Sequence, residues 1–131
     1  MKNINQETAQ KFQLYEKQIQ QIQKQMQSID NGIQEIEILK SGLDSIKDST
    51  GKEILAPIGR GVFIKAKILS DKLITDIGDR NLVEKDINDT KRISQEQIEK
   101  LEELRKELQD KLKEIDNELT QLILKNQQDS N

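Results

Sequence analysis

The chain has 131 residues, a net charge of −3, no cysteine, no histidine and no tryptophan. Only 33% of it is hydrophobic against 34% charged, and aromatics make up 2%. That is too little apolar matter for a compact single core or an aromatic-lined ligand pocket, so an elongated or a disordered chain remains. The missing cysteine and histidine exclude disulfide frameworks, thiol chemistry, the usual zinc sites and histidine acid–base catalysis. The acidic balance argues against nucleic acid as a partner. No apolar run reaches the length of a membrane span, and the polar segment from Met1 to Gln10 is unlike a signal peptide. A soluble, cytoplasmic chain is expected.

Sixteen glutamines favour disorder on composition alone, but periodicity overrules them. From Phe12 the apolar residues run Phe12, Tyr15, Ile19, Ile22, Met26, Ile29, Ile33 and Ile36, alternating steps of three and four. That is the a/d alternation of a coiled-coil heptad. Leu39, Leu43 and Ile46 continue the stripe after one extra step of three, and Gln, Lys and Glu fill the intervening positions as good helix formers. The spacing predicts a helix over residues 5–48. Asp48-Ser49-Thr50-Gly51 offers its stop, with Gly51 free to take positive φ.

The segment 53–85 changes period. Val62, Ile64, Ala66 and Ile68 alternate with Phe63, Lys65, Lys67 and Leu69, the period of a strand. A strand around Ile54-Leu55-Ala56-Pro57-Ile58 leads into a Gly59-Arg60-Gly61 turn. A third, Leu73-Ile74-Thr75-Asp76-Ile77, leads into a Gly78-Asp79 turn and a short fourth strand, Leu82-Val83-Glu84. With Ser70-Asp71-Lys72 separating the second strand from the third, four strands and three turns make two consecutive β-hairpins. The strand bearing Pro57 belongs at an edge. Such a small sheet is unstable alone and needs a partner surface. Ile54, Ile58, Val62, Ile64, Ile68, Ile74 and Ile77 are the candidate assembly residues.

The second stripe runs Ile98, Leu101, Leu104, Leu108, Leu112, Ile115, Leu119 and Leu122, in a background of Glu→Lys pairs four apart such as Glu96–Lys100 and Glu102–Lys106. It predicts a helix over residues 86–126, with Asp86 and Asp89 as N-cap and N3. The two stripes have nearly equal length, so an antiparallel fold-back is economical, with facing residue numbers summing to about 135. The double step of three at Ile33-Ile36-Leu39 then faces the one at Ile98-Leu101-Leu104, as a phase slip on one helix requires. The fold class is therefore mostly α with a small β part, a single unit over 1–131: a long antiparallel two-helix coiled coil with two β-hairpins between its helices.

No catalytic or metal-binding constellation emerges. Gly59-Arg60-Gly61 is followed by a strand, whereas a phosphate loop is followed by a helix. Glu102 with Glu103, and Asp110 with Glu114, lie on a polar face with nothing apolar to raise their pKa values. No cofactor, no metal and no enzymatic activity are expected. Toward the free ends the stripe turns polar at Asn5 and Thr8, while Leu122-Ile123-Leu124 offers three apolar residues where one seam position needs filling. Leu14 beside Tyr15 is likewise off the stripe. Ile4, Phe12, Leu14, Leu122, Ile123 and Leu124 are thus candidates for an apolar gripping surface.

The stretch from Ile54 through Pro57, Gly59-Arg60-Gly61 and Val62-Phe63-Ile64-Lys65-Ala66-Lys67 resembles the hairpin region of alpha-class prefoldin subunits. Ile77-Gly78 and Val83-Glu84-Lys85 resemble its end. The resemblance implies an ATP-independent holding chaperone in which two alpha and four beta subunits join hairpins into a double barrel. Coiled-coil tips then capture unfolded proteins for a group II chaperonin. Two hairpins fit the alpha class, since the beta class has one. The implied partners are beta-type subunits, unfolded clients and the chaperonin, with no nucleic acid and no membrane. A structural or tethering coiled coil without client binding is the alternative, though a plain tether has no use for two hairpins with apolar faces.

Overall fold

In a computed structural model, which describes residues 6–128, the chain forms α1 (Gln6–Ile46), β1 (Glu53–Gly59), β2 (Val62–Lys67), β3 (Leu73–Asp76), β4 (Leu82–Lys85) and α2 (Ile87–Gln128). Two long helices enclose two antiparallel hairpins, as the two periods in the sequence require. The chain divides into two compact units, one built from the α1 residues up to Ile33 and the α2 residues from Glu99 onward, the other from Gln34–Ile98.

In the first unit α1 and α2 run antiparallel. Tyr15 is hydrogen-bonded to Glu118, and the Arg105 Nε donates to Asp30 Oδ1 at 2.7 Å, so rising numbers on one helix meet falling numbers on the other. Ile22, Ile29 and Ile115 are buried, while Ile19, Met26, Leu108 and Leu112 are half-buried flank positions of the same seam. A Cβ at Gly32 would meet Leu101 Cδ1 at 3.6 Å, ordinary contact, so the leucine packs close over the glycine. These pairs lie close to the expected register.

The same register holds in the second unit, where Lys40 Nζ donates to Gln95 Oε1 and Lys91 pairs with Asp44. Leu43, Ile87 and Ile98 are buried there, Ile98 most deeply at 2% exposure. The small Ser94 is buried on the seam as well. α1 ends where Asp48 takes φ 56°, two residues short of the expected end at 48. Ser49 N–H then bonds back to the Ile46 carbonyl, satisfying one of the orphan acceptors of the last turn. α2 begins as expected: Asp86 Oδ1 accepts from the Asp89 N–H at 2.7 Å, the N-cap to N3 bond. That bond holds the Asp86 carboxyl below its ordinary pKa.

The structure corrects the seam at two places. Neither Ile33-Ile36-Leu39 nor Ile98-Leu101-Leu104 makes the expected double step of three. After Ile36 the half-buried position is Lys40, with Leu39 47% exposed, and after Leu101 it is Arg105, with Leu104 44% exposed. Alternation of three and four continues through both places, because Lys40 and Arg105 lay their alkyl stems on the seam and carry their charged heads out to Gln95 and Asp30; on α1 it is broken only in the last turn, where Ile46 follows Leu43 by three. Glu96, expected to pair with Lys100, is instead bonded by Arg92 at 3.0 Å, one turn before it.

The hairpins are two separate two-stranded ribbons, β1–β2 and β3–β4, where the sequence had suggested one small sheet. The β1–β2 register pairs Ile54 with Ala66, Ala56 with Ile64 and Pro57 with Phe63, and then slips so that Gly59 faces Val62. Ile58 is the bulged residue. Arg60 and Gly61 both take positive φ (50° and 77°), the two-residue turn that matches strand twist and that Gly61 makes easy. Two bonds between Gly51-Lys52 and Ile68 extend the ribbon at its base. The second ribbon pairs Leu73 with Lys85 and Asp76 with Leu82. Ile77 falls outside β3, since its N–H bonds to the Asn81 carbonyl within a five-residue connection. Three consecutive residues with positive φ, Gly78, Asp79 and Arg80, turn that connection.

Candidate functional surfaces

A ribbon of two strands buries nothing between layers, so each of its apolar side chains must find cover elsewhere or face water. In β1–β2 the alternation puts Ile54, Ala56, Val62, Ile64 and Ala66 on one face and Leu55, Pro57, Phe63 and Lys65 on the other. Ile54, Leu55, Ile58, Val62, Phe63 and Ile64 are all exposed, and Leu69, just beyond β2, is 86% exposed. In β3–β4, Leu73, Thr75, Val83 and Lys85 share a half-buried face, and Ile74 and Leu82 point away into water. Of the seven residues expected to mediate assembly, Ile54, Ile58, Val62, Ile64, Ile74 and Ile77 are exposed and Ile68 is half-buried. A monomeric soluble protein rarely exposes so many large aliphatics so close together in sequence.

The other candidate surface lies at the free ends of the helices. Phe12 and Leu122 are half-buried and occupy seam positions. Leu14 (55%), Ile123 and Leu124 are exposed, on faces that the seam does not use. Ile4, named with them, lies outside the described residues. Lys11, Tyr15, Glu118, Gln121, Leu122 and Lys125 line an open groove there. The Glu118 carboxylate accepts the Tyr15 hydroxyl hydrogen bond and, with partial burial and its own negative charge, holds the phenol above its ordinary pKa. That bond ties the two helices at this end.

The acidic pairs considered above, Glu102 with Glu103 and Asp110 with Glu114, are solvated. Among the described residues no cluster of three or more acidic side chains is arranged to hold a metal ion, and no helix is long and apolar enough to cross a membrane. The second ribbon face is a finding of the structure: the sequence marks Leu55 and Phe63 as strand residues, and both are exposed. Their alternation with Ile54 and Ile64 was the available signal.

Two long helices with two exposed hairpins between them in the chain define a class of coiled-coil subunit, and the comparisons with known proteins say which. The family model for the prefoldin subunit matches residues 15–131. Prefoldin subunit alpha 1 of Methanocaldococcus jannaschii is 32% identical over 130 residues, covering 93% of this chain and 87% of that protein. Prefoldin subunit alpha of Methanococcus aeolicus is 35% identical over 92 residues, 66% of this chain and 61% of the relative. A cryo-EM structure of filamentous PFD from Methanocaldococcus jannaschii superposes with a TM-score of 0.76 at 23% identity, over 92% of this chain and 98% of that one, which speaks for the fold. The chain belongs to the prefoldin family, on its alpha-subunit side. Prefoldin subunits are chaperone-type proteins and not enzymes.

Proposed function

We propose that this chain is the alpha-type subunit of an ATP-independent holding chaperone. It joins beta-type subunits through its hairpins, two alpha to four beta, captures unfolded proteins at its coil ends and passes them to a group II chaperonin in the cytoplasm. The observation that carries this reading is the division of apolar surface. The seam satisfies itself within the chain, while Ile54, Ile58, Val62, Ile64, Ile74 and Ile77 stay exposed on the hairpins and their connection. A second, smaller excess lies at the coil ends in Leu14, Ile123 and Leu124, to which the proposal adds Ile4, Phe12 and Leu122 as client contacts.

Broad client range requires adaptable apolar side chains and no shaped pocket, which suits an open coil end. Each contact is weak; several coil ends closing on one client supply avidity through effective concentration. Release then depends on transfer to another chaperone. The test is co-purification with a beta-type subunit, followed by suppression of aggregation of an unfolded protein. Deleting residues 1–11 and 121–131 should leave the assembly intact and abolish suppression. If the truncated assembly holds clients as well as the full chain, the grip lies elsewhere.

A further inference from the structure

The assembly proposed above uses one face of the β1–β2 ribbon, that of Ile54, Val62 and Ile64. The opposite face remains, and it is not neutral. Phe63 and Leu55 are both more than half exposed, and Lys65 lies directly across from Leu55 in the ribbon register. Toward the base the same face carries Glu53 directly across from Lys67, so it is apolar toward its turn and mixed in charge toward its base, two lysines to one glutamate.

The same unit carries a surface of opposite character on α1. Ile38 is 64% exposed and Leu39 47%, and the seam needs neither, since it passes from Ile36 to Lys40. Glu35 lies three and four residues before them and so borders both on the helix surface. Gly42 lies three and four residues after them, and a Cβ placed there would meet nothing within 4 Å, which leaves open floor beside the two aliphatic side chains. The ion pairs among the described residues engage Asp30, Asp44, Asp89 and Glu96, not Glu35.

We infer that the Leu55–Phe63 face of one copy docks on the Ile38–Leu39 patch of a second copy, Phe63 lying over Gly42 and Lys65 meeting Glu35. The complementarity is of charge as well as of apolarity: a lysine beside an aromatic on one surface, a glutamate beside two aliphatics on the other. Because each copy carries both surfaces, the contact can be made twice about a two-fold axis, as isologous interfaces are. The inference rests on the proposed hairpin assembly, which occupies the first ribbon face and turns the second outward.

The chain has no cysteine, so engineered ones report without background. Full-length Phe63→Cys and Ile38→Cys chains, mixed and assembled with a beta-type subunit, should give on mild oxidation a mixed disulfide in severalfold excess over either symmetric product. Glu35→Lys or Lys65→Glu alone should cut the yield severalfold, and the two combined on the mixed chains should restore it. If assembly proceeds normally and no mixed disulfide forms, or if charge reversal on both sides fails to restore it, this docking is wrong while the proposed function stands. If an Ile64→Asp variant assembles as well as the parent, the hairpin reading falls, and the docking falls with it.

Discussion

The helical seam and the hairpins are built from similar residues and meet opposite fates. Ile22, Ile29, Ile98 and Ile115 are buried within the chain, while Ile58, Ile64, Ile74 and Ile77 stand in water. The difference is geometric. A helix gathers its apolar residues on one stripe, and an antiparallel partner lies along that stripe, burying Ile22, Ile29, Ile98 and Ile115 and half-burying Ile19, Met26, Leu108 and Leu112. A two-stranded ribbon displays side chains on both faces, and even where one face is half-buried, as at Leu73, Thr75 and Val83, the other stands in water. Isoleucine on the seam is therefore a folding residue, whereas isoleucine on the ribbons is left uncovered by the chain, and the proposed assembly is what would cover it.

That contrast can be broken most sharply at Ile64. Ile64→Asp should leave the helical circular dichroism of the isolated chain unchanged and prevent association with a beta-type subunit in sedimentation velocity, since an interface that buries an unpaired carboxylate loses several kcal/mol, roughly 3–5. Ile98→Ala should do the reverse. It removes a seam side chain that is 2% exposed, at a cost of about 2–5 kcal/mol, and should lower the thermal midpoint of the isolated chain by many degrees.

Acid should sharpen the comparison next. Hydrogen bonds from Lys91 to Asp44 and from the Asp89 N–H to Asp86 lower both carboxyl pKa values from the ordinary 3.8. A depressed folded pKa contributes stability that is present above 3.8 and lost as pH falls through the folded value. Melting curves of the parent chain should thus lose stability below pH 3.8, and Asp86→Asn, tested by the same curves, should show a smaller loss over that range. The smallest expected effects concern the corrected seam. Leu39→Gln in the isolated chain should shift stability by less than about 0.5 kcal/mol. Arg105→Leu should stabilise the coil by about 1 kcal/mol, because a leucine at that half-buried position fills the seam. A Leu39→Gln cost comparable to that of Ile98→Ala would restore the phase slip.

Much of this was legible in the sequence because period is a strong signal. The switch from steps of three and four to a step of two marked the hairpins, and Asp86 with Asp89 marked the start of α2. Lys40 and Arg105 were not legible as seam residues. A hydropathy reading passes to the nearest apolar neighbour, Leu39 or Leu104, and so manufactures a phase slip. The stem of a long cation, which covers the seam while its head leaves it, is invisible to residue type. Ser94 was missed for the related reason that a small polar residue reads as surface. The pairing into two hairpins was legible from the turns at Gly59-Arg60-Gly61 and Gly78-Asp79; that the two hairpins share no sheet was not, since alternation shows a strand and not whether a further strand joins it. Among the coil-end residues, Phe12 and Leu122 announced themselves by periodicity as seam, and Leu14, Ile123 and Leu124 announced themselves by departing from it.

Amide hydrogen exchange on the isolated chain and on its complex with a beta-type subunit tests the central claim most directly, because it reads seam and ribbons in one experiment. The account predicts slow exchange around Ile22, Ile29, Ile98 and Ile115 in both samples. Across Glu53–Gly59, Val62–Lys67, Leu73–Asp76 and Leu82–Lys85 it predicts fast exchange in the isolated chain and strong protection in the complex. Ribbons protected as well in the isolated monomer as in the complex would contradict it.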